Sequence, residues 1–198
     1  MNVTKLLPLT KRKLEILFEI YSSENCYLHK LVRELNMSLS LCSKILTSLV
    51  NCKILKKERK GKEVYYSFIS GYEYNLLIPV LNELYLEKRA AKYEKCRNFI
   101  TLVRNNKEIV SSCKYIFVFG SYARGSANQK SDLDVLFVTS NKKLISKFCR
   151  EISIILNLQI DGVVFNEKKF EENLRKKEPF INSIVNNPKE RLIVFGNI

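Results

Sequence analysis

FVFGSYARGSANQKSDLDVLFVT, residues 117–139, is the stretch that decides the fold of the C-terminal half. An apolar run ends at Gly120-Ser121, a polar loop follows, and Asp132-Leu133-Asp134 opens a second apolar run. The two apolar runs predict two strands of a sheet. Because side chains alternate along a strand, we expect Asp132 and Asp134 to lie on the same face, close to each other.

This arrangement of residue types indicates a site for a metal ion and a phosphorylated ligand. Two carboxylates this close repel each other unless a cation lies between them. Magnesium prefers oxygen ligands and is commonly held by carboxylates together with substrate phosphates. The turn at Gly120-Ser121 permits close backbone approach, so its amides and the Ser121 hydroxyl can bind a triphosphate. The fork of the Arg124 guanidinium fits phosphate oxygens.

The order glycine-serine, arginine-glycine and SDLD resembles the signature of polymerase β-type nucleotidyltransferases, above all their small, minimal domains. The resemblance runs from the first of these strands to residue 198. It implies that a nucleoside monophosphate is transferred from ATP or another nucleoside triphosphate to an acceptor, with Mg²⁺ at a two-metal site. It assigns nucleotide binding to Gly120, Ser121, Arg124 and Gly125, and catalysis and metal binding to Asp132, Asp134 and Asp161.

The third carboxylate of this set has two candidate positions. The resemblance implies that it lies on the next strand, for which LQIDGVVF, residues 158–165, offers Asp161. Gln159 occupies the other position on the same face, and some relatives have their acid there. An amide is a weaker metal ligand and cannot act as a base, so Asp161 would have to take that role.

Residues 10–69 predict three helices followed by a hairpin. Apolar residues recur at helical spacing in two segments, and Ser38 is expected to cap a third helix that ends near Asn51. Ile54-Leu55 and VYYSF then flank the charged run KKERKGK, which predicts two strands around a tip that contains Gly61.

Residues 31–68, LVRELNMSLSLCSKILTSLVNCKILKKERKGKEVYYSF, resemble winged helix-turn-helix proteins. The resemblance implies that the third helix enters the major groove of duplex DNA and that the basic hairpin contacts the phosphates. The alternatives are a three-helix domain whose charged run is only a solvated hairpin, or one that binds a protein. Lys44 is the only basic residue of the helix, so base-specific contacts have less support than phosphate contacts. The expected contacts are Leu39, Ser40, Ser43, Lys44, Thr47, Lys56, Lys57, Arg59, Lys60 and Lys62.

The expected fold class is α/β (α+β), with an N-terminal winged helix-turn-helix followed by a nucleotidyltransferase-fold mixed sheet that helices flank. The DNA-binding domain is expected over residues 1–72, a connector helix over 73–110 and the transferase domain over 111–198. The connector is predicted as one long, partly exposed helix from about Ile78 to Asn105, with pairing in a homodimer as an open alternative.

Composition and charge limit the classes of protein further. The apolar share of 46% and the charged share of 27% of the 198 residues exclude wholesale disorder. A formal net charge of +14 favours polyanions as partners. No apolar run approaches the ~20 residues of a membrane span, and the first residues hold too short a run for a signal peptide. Six dispersed cysteines and one histidine give no zinc-site spacing, so we expect a reduced, cytoplasmic protein.

Three functions remain open on these residues. The first is an active magnesium-dependent nucleotidyltransferase coupled to a nucleic-acid-binding domain. The second is a winged-helix transcriptional regulator whose transferase domain senses nucleotide or is inactive. The third is an antitoxin-like protein that adenylylates a protein partner. The presence of Gly120, Ser121, Arg124, Asp132 and Asp134 favours retained nucleotide chemistry, and the acceptor stays open.

Overall fold

The computed structural model describes residues 10–23, 25–69 and 72–196, without the side chains of residues 72–75. The contacts within the chain divide it into two compact units, Met1–Leu81 and Asn82–Ile198. The first nine residues, on which the expectation about a signal peptide rests, lie outside the described residues. Among the described helices, none combines the length and the apolar composition that crossing a membrane requires.

The N-terminal unit contains the three predicted helices and the predicted hairpin. The side chains of Thr10 and Ser38 cap the first and third helices by accepting hydrogen bonds from the backbone N–H groups of Lys13 and Leu41. A short strand that the sequence did not predict pairs with the hairpin, so the antiparallel sheet has the order β1-β3-β2. In chain order the elements are α1 (Lys11–Ser22), β1 (Cys26–Tyr27), α2 (Leu28–Glu34), α3 (Leu39–Asn51), β2 (Leu55–Lys60) and β3 (Glu63–Phe68).

The buried face of α3 is the one that its apolar spacing predicts. Cys42, Ile45, Leu46 and Leu49 are buried, and the exposed surface of the helix carries polar residues together with Leu39 and Leu41. These elements are confirmed, while their assignment as a winged helix-turn-helix stays a prediction.

The prediction of one continuous connector helix is wrong. The region instead forms α4 (Tyr72–Ala90), α5 (Glu94–Asn105) and α6 (Lys107–Ser112), with a turn over 91–93. Tyr93 has an extended backbone at the start of α5, and its ring packs edge-on against Tyr122 at 5.1 Å between centroids. The α-helical hydrogen bonds of α4 end here, because the N–H groups of Lys92 and Tyr93 donate to carbonyls only three residues back. The helix α5 then buries an apolar stripe of its own. That stripe is Cys96, Phe99, Ile100 and Val103.

Two further details of the connector differ from the sequence-based expectation. The helix begins at Tyr72 and not near Ile78, so Pro79 lies inside α4. The ring of Phe99 packs 6.4 Å from that of Phe148, between centroids, so this apolar face is covered within the chain. Homodimer formation through the connector stays a prediction.

The C-terminal unit is built on a four-stranded mixed sheet in the order β6-β5-β4-β7. The pairs β4–β5 and β4–β7 are antiparallel, and β5–β6 is parallel, since α8 carries the chain across between those two strands. The two strands that residues 117–139 predict are confirmed as β4 and β5, and the strand expected within residues 158–165 is confirmed as β6. In chain order the elements are β4 (Tyr115–Phe119), α7 (Gly120–Arg124), β5 (Leu133–Val138), α8 (Lys142–Leu156), β6 (Ile160–Phe165), α9 (Glu167–Arg175), α10 (Pro179–Asn186), a 3₁₀ turn (Pro188–Glu190) and β7 (Arg191–Phe195).

Helices cover both faces of this sheet. On one face, a Cβ at Gly162 of β6 would meet Cys149 and Ile145 of α8. On the other face, α9 and α10 bury a continuous apolar core against the sheet. Strand alternation therefore decides which helix layer each strand residue meets. The members of this second core are Phe117, Leu136, Val138, Phe170, Ile181, Ile184, Val185 and Ile193.

Candidate functional site

The chain has three aspartates, Asp132, Asp134 and Asp161, and the sequence predicts all three as site residues. Asp134 of β5 and Asp161 of β6 are direct partners in the parallel register. Asp132 immediately precedes β5, and the Leu133 N–H beside it donates to the carbonyl of Gln159 at 2.9 Å. The three carboxylates and Gln159 are thus brought to one end of the β5–β6 pair.

Strand alternation puts Asp134 on the face of the sheet that α9 and α10 cover. Leu136 and Val138, two and four residues further along β5, are fully buried in that core. Asp134 and Asp132 are partly buried, whereas Asp161 on the edge strand β6 is exposed. The site therefore has a sheltered carboxylate at the core and an accessible one at the sheet edge.

Gly120 lies directly against the Asp134 side chain. Its φ of +67° is in the left-handed region that favours glycine. A Cβ at Gly120 would overlap the Asp134 carboxylate. The glycine of the glycine-serine turn is therefore required twice, by the backbone conformation and by the space that Asp134 occupies.

The pKa of the Asp134 carboxyl reflects its burial and the charged groups around it. Burial raises the pKa of the Asp134 carboxyl above its ordinary value, and the charges of Asp161 and Asp132 raise it further. The guanidinium of Arg124 opposes this by lowering the pKa. The ionised form of Asp134 is thus disfavoured in the protein alone, and a nearby cation would stabilise it.

The remaining residues of the motif lie along α7 and just after it. Gly125 ends this short helix with a φ of +80°, and its N–H donates to the Tyr122 carbonyl at 3.3 Å. Ser121 is partly buried, and its carbonyl accepts from the Ser126 N–H at 2.9 Å. Gly120, Ser121, Arg124 and Gly125 are therefore all placed within one turn-helix-turn segment beside the aspartates.

Arg124 has an ion-pair partner that the sequence analysis did not identify. Its Nη1 donates to Oε2 of Glu190, in the 3₁₀ turn before β7, at 2.9 Å. The Arg124 side chain is 50% exposed, so this pair is screened by solvent and contributes little to stability. A competing anion can therefore displace Glu190 from the guanidinium at low cost.

Two further arginines near the site were also missed. Arg89 of α4 lies over Gly125, where a Cβ would overlap its Nη1. Arg191 is paired with Phe119 in the β4–β7 register, but it is buried and its Nη1 donates to the Ile184 carbonyl at 3.3 Å. No local sequence signal marks these residues, because only long-range folding brings them to the motif.

The donor set fits a divalent cation that arrives with a phosphorylated ligand. Among the described residues, no group of three or more His, Cys, Asp or Glu side chains is arranged to hold a metal ion. Magnesium needs only one or two protein carboxylates when substrate phosphates supply further oxygens. Asp132 and Asp134, with Asp161 beside them, offer such carboxylates, and burial of Asp134 among like charges makes a cation favourable there.

A cavity on the other face of the sheet does not contain the carboxylates. It measures about 520 Å³ and lies between α8 and β6, where Ile145, Cys149, Gly162 and Val164 line it. These residues belong to the sheet face opposite to Asp134 and Asp161. This cavity is therefore separate from the candidate site.

The predicted DNA contacts form a separate surface on the N-terminal unit. Of the ten residues, Ser43 is partly buried and the other nine are exposed, Leu39 to 48%. Glu58 lies among the basic residues of β2 and pairs with Lys60 at 3.6 Å. The hairpin is therefore less uniformly positive than its lysines and arginine alone suggest.

The comparison with protein families gives a match for most of the C-terminal unit. A family model described as "Nucleotidyltransferase domain" matches residues 100–194. These residues are therefore similar to nucleotidyltransferase domains. The match includes every residue that the sequence analysis assigns to the nucleotide and metal site, and the mixed sheet with its flanking helices is consistent with this family. The family indicates transfer of a nucleotide as the domain's chemistry.

Comparisons with curated proteins and with solved structures add no evidence on function. No curated protein matches the chain significantly. The solved structures include reduced HlyU from Vibrio cholerae N16961, which is 23% identical, covers 42% of this chain and 83% of its own, and has a TM-score of 0.36. Another is a crystal structure of a toxin-antitoxin with AMP-PNP, which is 15% identical over 51% of this chain and 73% of its own, with a TM-score of 0.32. Neither likeness carries an argument at these scores.

The contact of Gly120 with Asp134 gives a prediction with a matched control. Gly120→Ala and Gly61→Ala both place a side chain at a positive φ, +67° and +64°, which costs about 1–2 kcal/mol. Only Gly120→Ala also pushes a methyl group into a carboxylate, since nothing lies within 4 Å at Gly61. In denaturant titrations, we expect Gly120→Ala to lower the free energy of unfolding by ~1–3 kcal/mol more than Gly61→Ala does. Equal losses in the two variants would contradict the contact.

Proposed function

We propose that this protein is a magnesium-dependent nucleotidyltransferase that moves a nucleoside monophosphate from a nucleoside triphosphate to an acceptor hydroxyl. The observation that carries the proposal is the in-register pairing of Asp134 and Asp161 beside Gly120, within a domain of the nucleotidyltransferase family. ATP or another nucleoside triphosphate is the donor, and pyrophosphate is the leaving group.

The residues divide the chemistry between binding and proton transfer. Asp132 and Asp134 would hold Mg²⁺, which neutralises phosphate charge and lowers the pKa of the acceptor hydroxyl when bound. The backbone of Gly120 and Gly125, the Ser121 hydroxyl and the Arg124 guanidinium would bind the phosphate oxygens. Binding would exchange the solvent-screened contact of Arg124 with Glu190 for a contact with phosphate, since both are anionic acceptors.

Asp161 is assigned the role of the general base. It is exposed at the edge strand, where an acceptor can reach it, and it lies next to the sheltered Asp134. A carboxylate in this position can take the proton of the attacking hydroxyl or help to bind a second metal ion. Gln159, the other candidate position, lies opposite Asp132 and carries no charge.

Two alternatives share the same nucleotide site. In one, the domain binds nucleotide without turnover and acts as a sensor for a DNA-binding regulator. In the other, the acceptor is a side chain of a protein partner, which the exposed position of Asp161 at the strand ends would admit. The first alternative requires a site that lacks a working base, so the role of Asp161 separates it from an enzyme.

For the N-terminal unit we propose a winged helix-turn-helix that binds duplex DNA through α3 and the β2–β3 hairpin. The exposed face of α3 and the basic edge of β2 support this role. The hairpin residues would contact phosphates, which explains affinity without base recognition. DNA binding would then bring the transferase domain to a nucleic-acid surface.

If Asp161 is the general base, its replacement should slow turnover but leave nucleotide binding nearly unchanged. Incubation with labelled nucleoside triphosphates, Mg²⁺ and candidate acceptors would measure transfer. Asp161→Asn should slow it by roughly 10²–10⁴-fold, the range for loss of a positioned general base, with nucleotide affinity nearly unchanged. Asp132→Asn should lower transfer by roughly 10²-fold or more together with affinity, because it removes a metal contact.

Glu151→Gln is the matched carboxylate-to-amide control, since Glu151 is exposed on α8, the helix that covers the opposite sheet face. It should leave transfer unchanged. Equal turnover of wild type and Asp161→Asn would show that Asp161 is only a strand residue. Nucleotide binding without turnover in wild type, with turnover restored by Gln159→Glu, would favour the sensor.

The DNA-binding proposal predicts a loss that does not depend on sequence. The double variant Lys57→Ala/Arg59→Ala should weaken binding to every duplex and reduce the slope of log affinity against log salt by about 2 units, because two phosphate contacts are lost. Lys168→Ala/Arg175→Ala removes the same two charges from exposed positions of α9 and controls for net charge. Gel-shift titrations across salt concentrations in which the two double variants behave alike would reject the proposed surface.

A further inference from the structure

Arg89, in the last turn of α4, has a guanidinium that is fixed on one side only. Its Nε donates to the hydroxyl oxygen of Tyr85 at 3.2 Å, and its Cζ lies 5.2 Å from the centroid of the Tyr85 ring. Tyr85 is buried, and its O–H donates to the Lys189 carbonyl at 3.5 Å. The Nε side of the Arg89 guanidinium is therefore held in place by Tyr85.

The open end of the same guanidinium lies over the nucleotide motif. Gly125 leaves the space that Nη1 of Arg89 occupies, and a Cβ at this glycine would overlap it. In the part of the chain that the structure describes, neither terminal nitrogen of Arg89 makes a hydrogen bond. The terminal donors of this half-buried guanidinium are therefore available to an anionic acceptor.

Arg89 and Arg124 flank Gly125 from two elements that are distant in sequence. Glu190 pairs with Arg124 at 2.9 Å, and the described structure shows no carboxylate paired with Arg89. The stretch from Gly120, beside the carboxylates, to Gly125 is five residues of helix, about 7 Å long. That distance is similar to the span of a triphosphate chain, so an anion that starts at the carboxylates and follows α7 ends at Arg89.

We propose that Arg89 is a further binding residue of the nucleotide site, whose terminal nitrogens hold oxygens of the β- or γ-phosphate of the nucleoside triphosphate. This assignment rests on the proposed function and extends the site to α4. Because Tyr85 fixes the Nε side of the guanidinium, little side-chain entropy is lost when the phosphate binds.

The test is calorimetric titration of the full chain with ATP, AMP and inorganic triphosphate, each with Mg²⁺. Arg89→Met keeps the length of the side chain and removes the donors, and it should weaken ATP and triphosphate about tenfold, the loss of one charge-assisted hydrogen bond. AMP affinity should not change. Arg89→Lys should recover part of the loss, and Tyr85→Phe, which removes the acceptor of the Nε hydrogen bond, should cause a smaller loss of the same selectivity.

Arg97→Met controls for the removal of a positive charge, since Arg97 is exposed on α5 in the same unit. Equal ATP affinity in Arg89→Met and wild type would overturn the inference. So would an equal loss of ATP affinity in Arg97→Met, or a loss of AMP affinity in Arg89→Met as large as its loss of ATP affinity. A wild-type protein that binds neither ATP nor triphosphate would overturn the proposed function itself, so the two failures are distinguishable.

Discussion

The site depends on two like charges that the fold forces together. Asp134 and Asp161 are partners in the parallel pairing of β5 and β6, and the pairing is fixed by the crossover through α8 and by the apolar core that shares the Asp134 face. A slip of one residue would turn Leu136 and Val138 out of that core, so the repulsion cannot be relieved by a change of register. Burial raises the pKa of Asp134 and the neighbouring carboxylates raise it further, and a cation is the partner that would remove this cost.

The rest of the domain brings groups for an anion to the same place. Gly120 follows the end of β4 and lies against the Asp134 carboxylate, and α7 leads from there to Arg124 and Gly125. The cationic side chains are held from outside this segment, Arg124 by Glu190 and Arg89 by Tyr85. Negative charge is thus concentrated at one end of α7 and positive charge at the other, which suits a ligand made of a metal ion and a chain of phosphates.

Much of this could be predicted from the sequence, because the features are local. Alternation in IDGVVF and the SDLD motif predicted the strands and the common face of the acids, and capping by Ser38 predicted the start of α3. The break before α5 was missed, since the turn at residues 91–93 contains no glycine or proline that would mark the end of a helix. Glu190 and Arg89 were missed for a different reason. Their roles exist only after the chain brings three distant segments together.

The central claim is that the carboxylate cluster is completed by a cation that arrives with nucleotide. Calorimetric titration of the wild-type protein with ATP, in excess Mg²⁺ and again in a chelator, measures this directly. The predicted result is tight binding with Mg²⁺ and loss of at least about tenfold in affinity without it, because the phosphates would then face uncompensated carboxylates. Equal ATP affinity in the two conditions would contradict a metal-bridged site at Asp132 and Asp134.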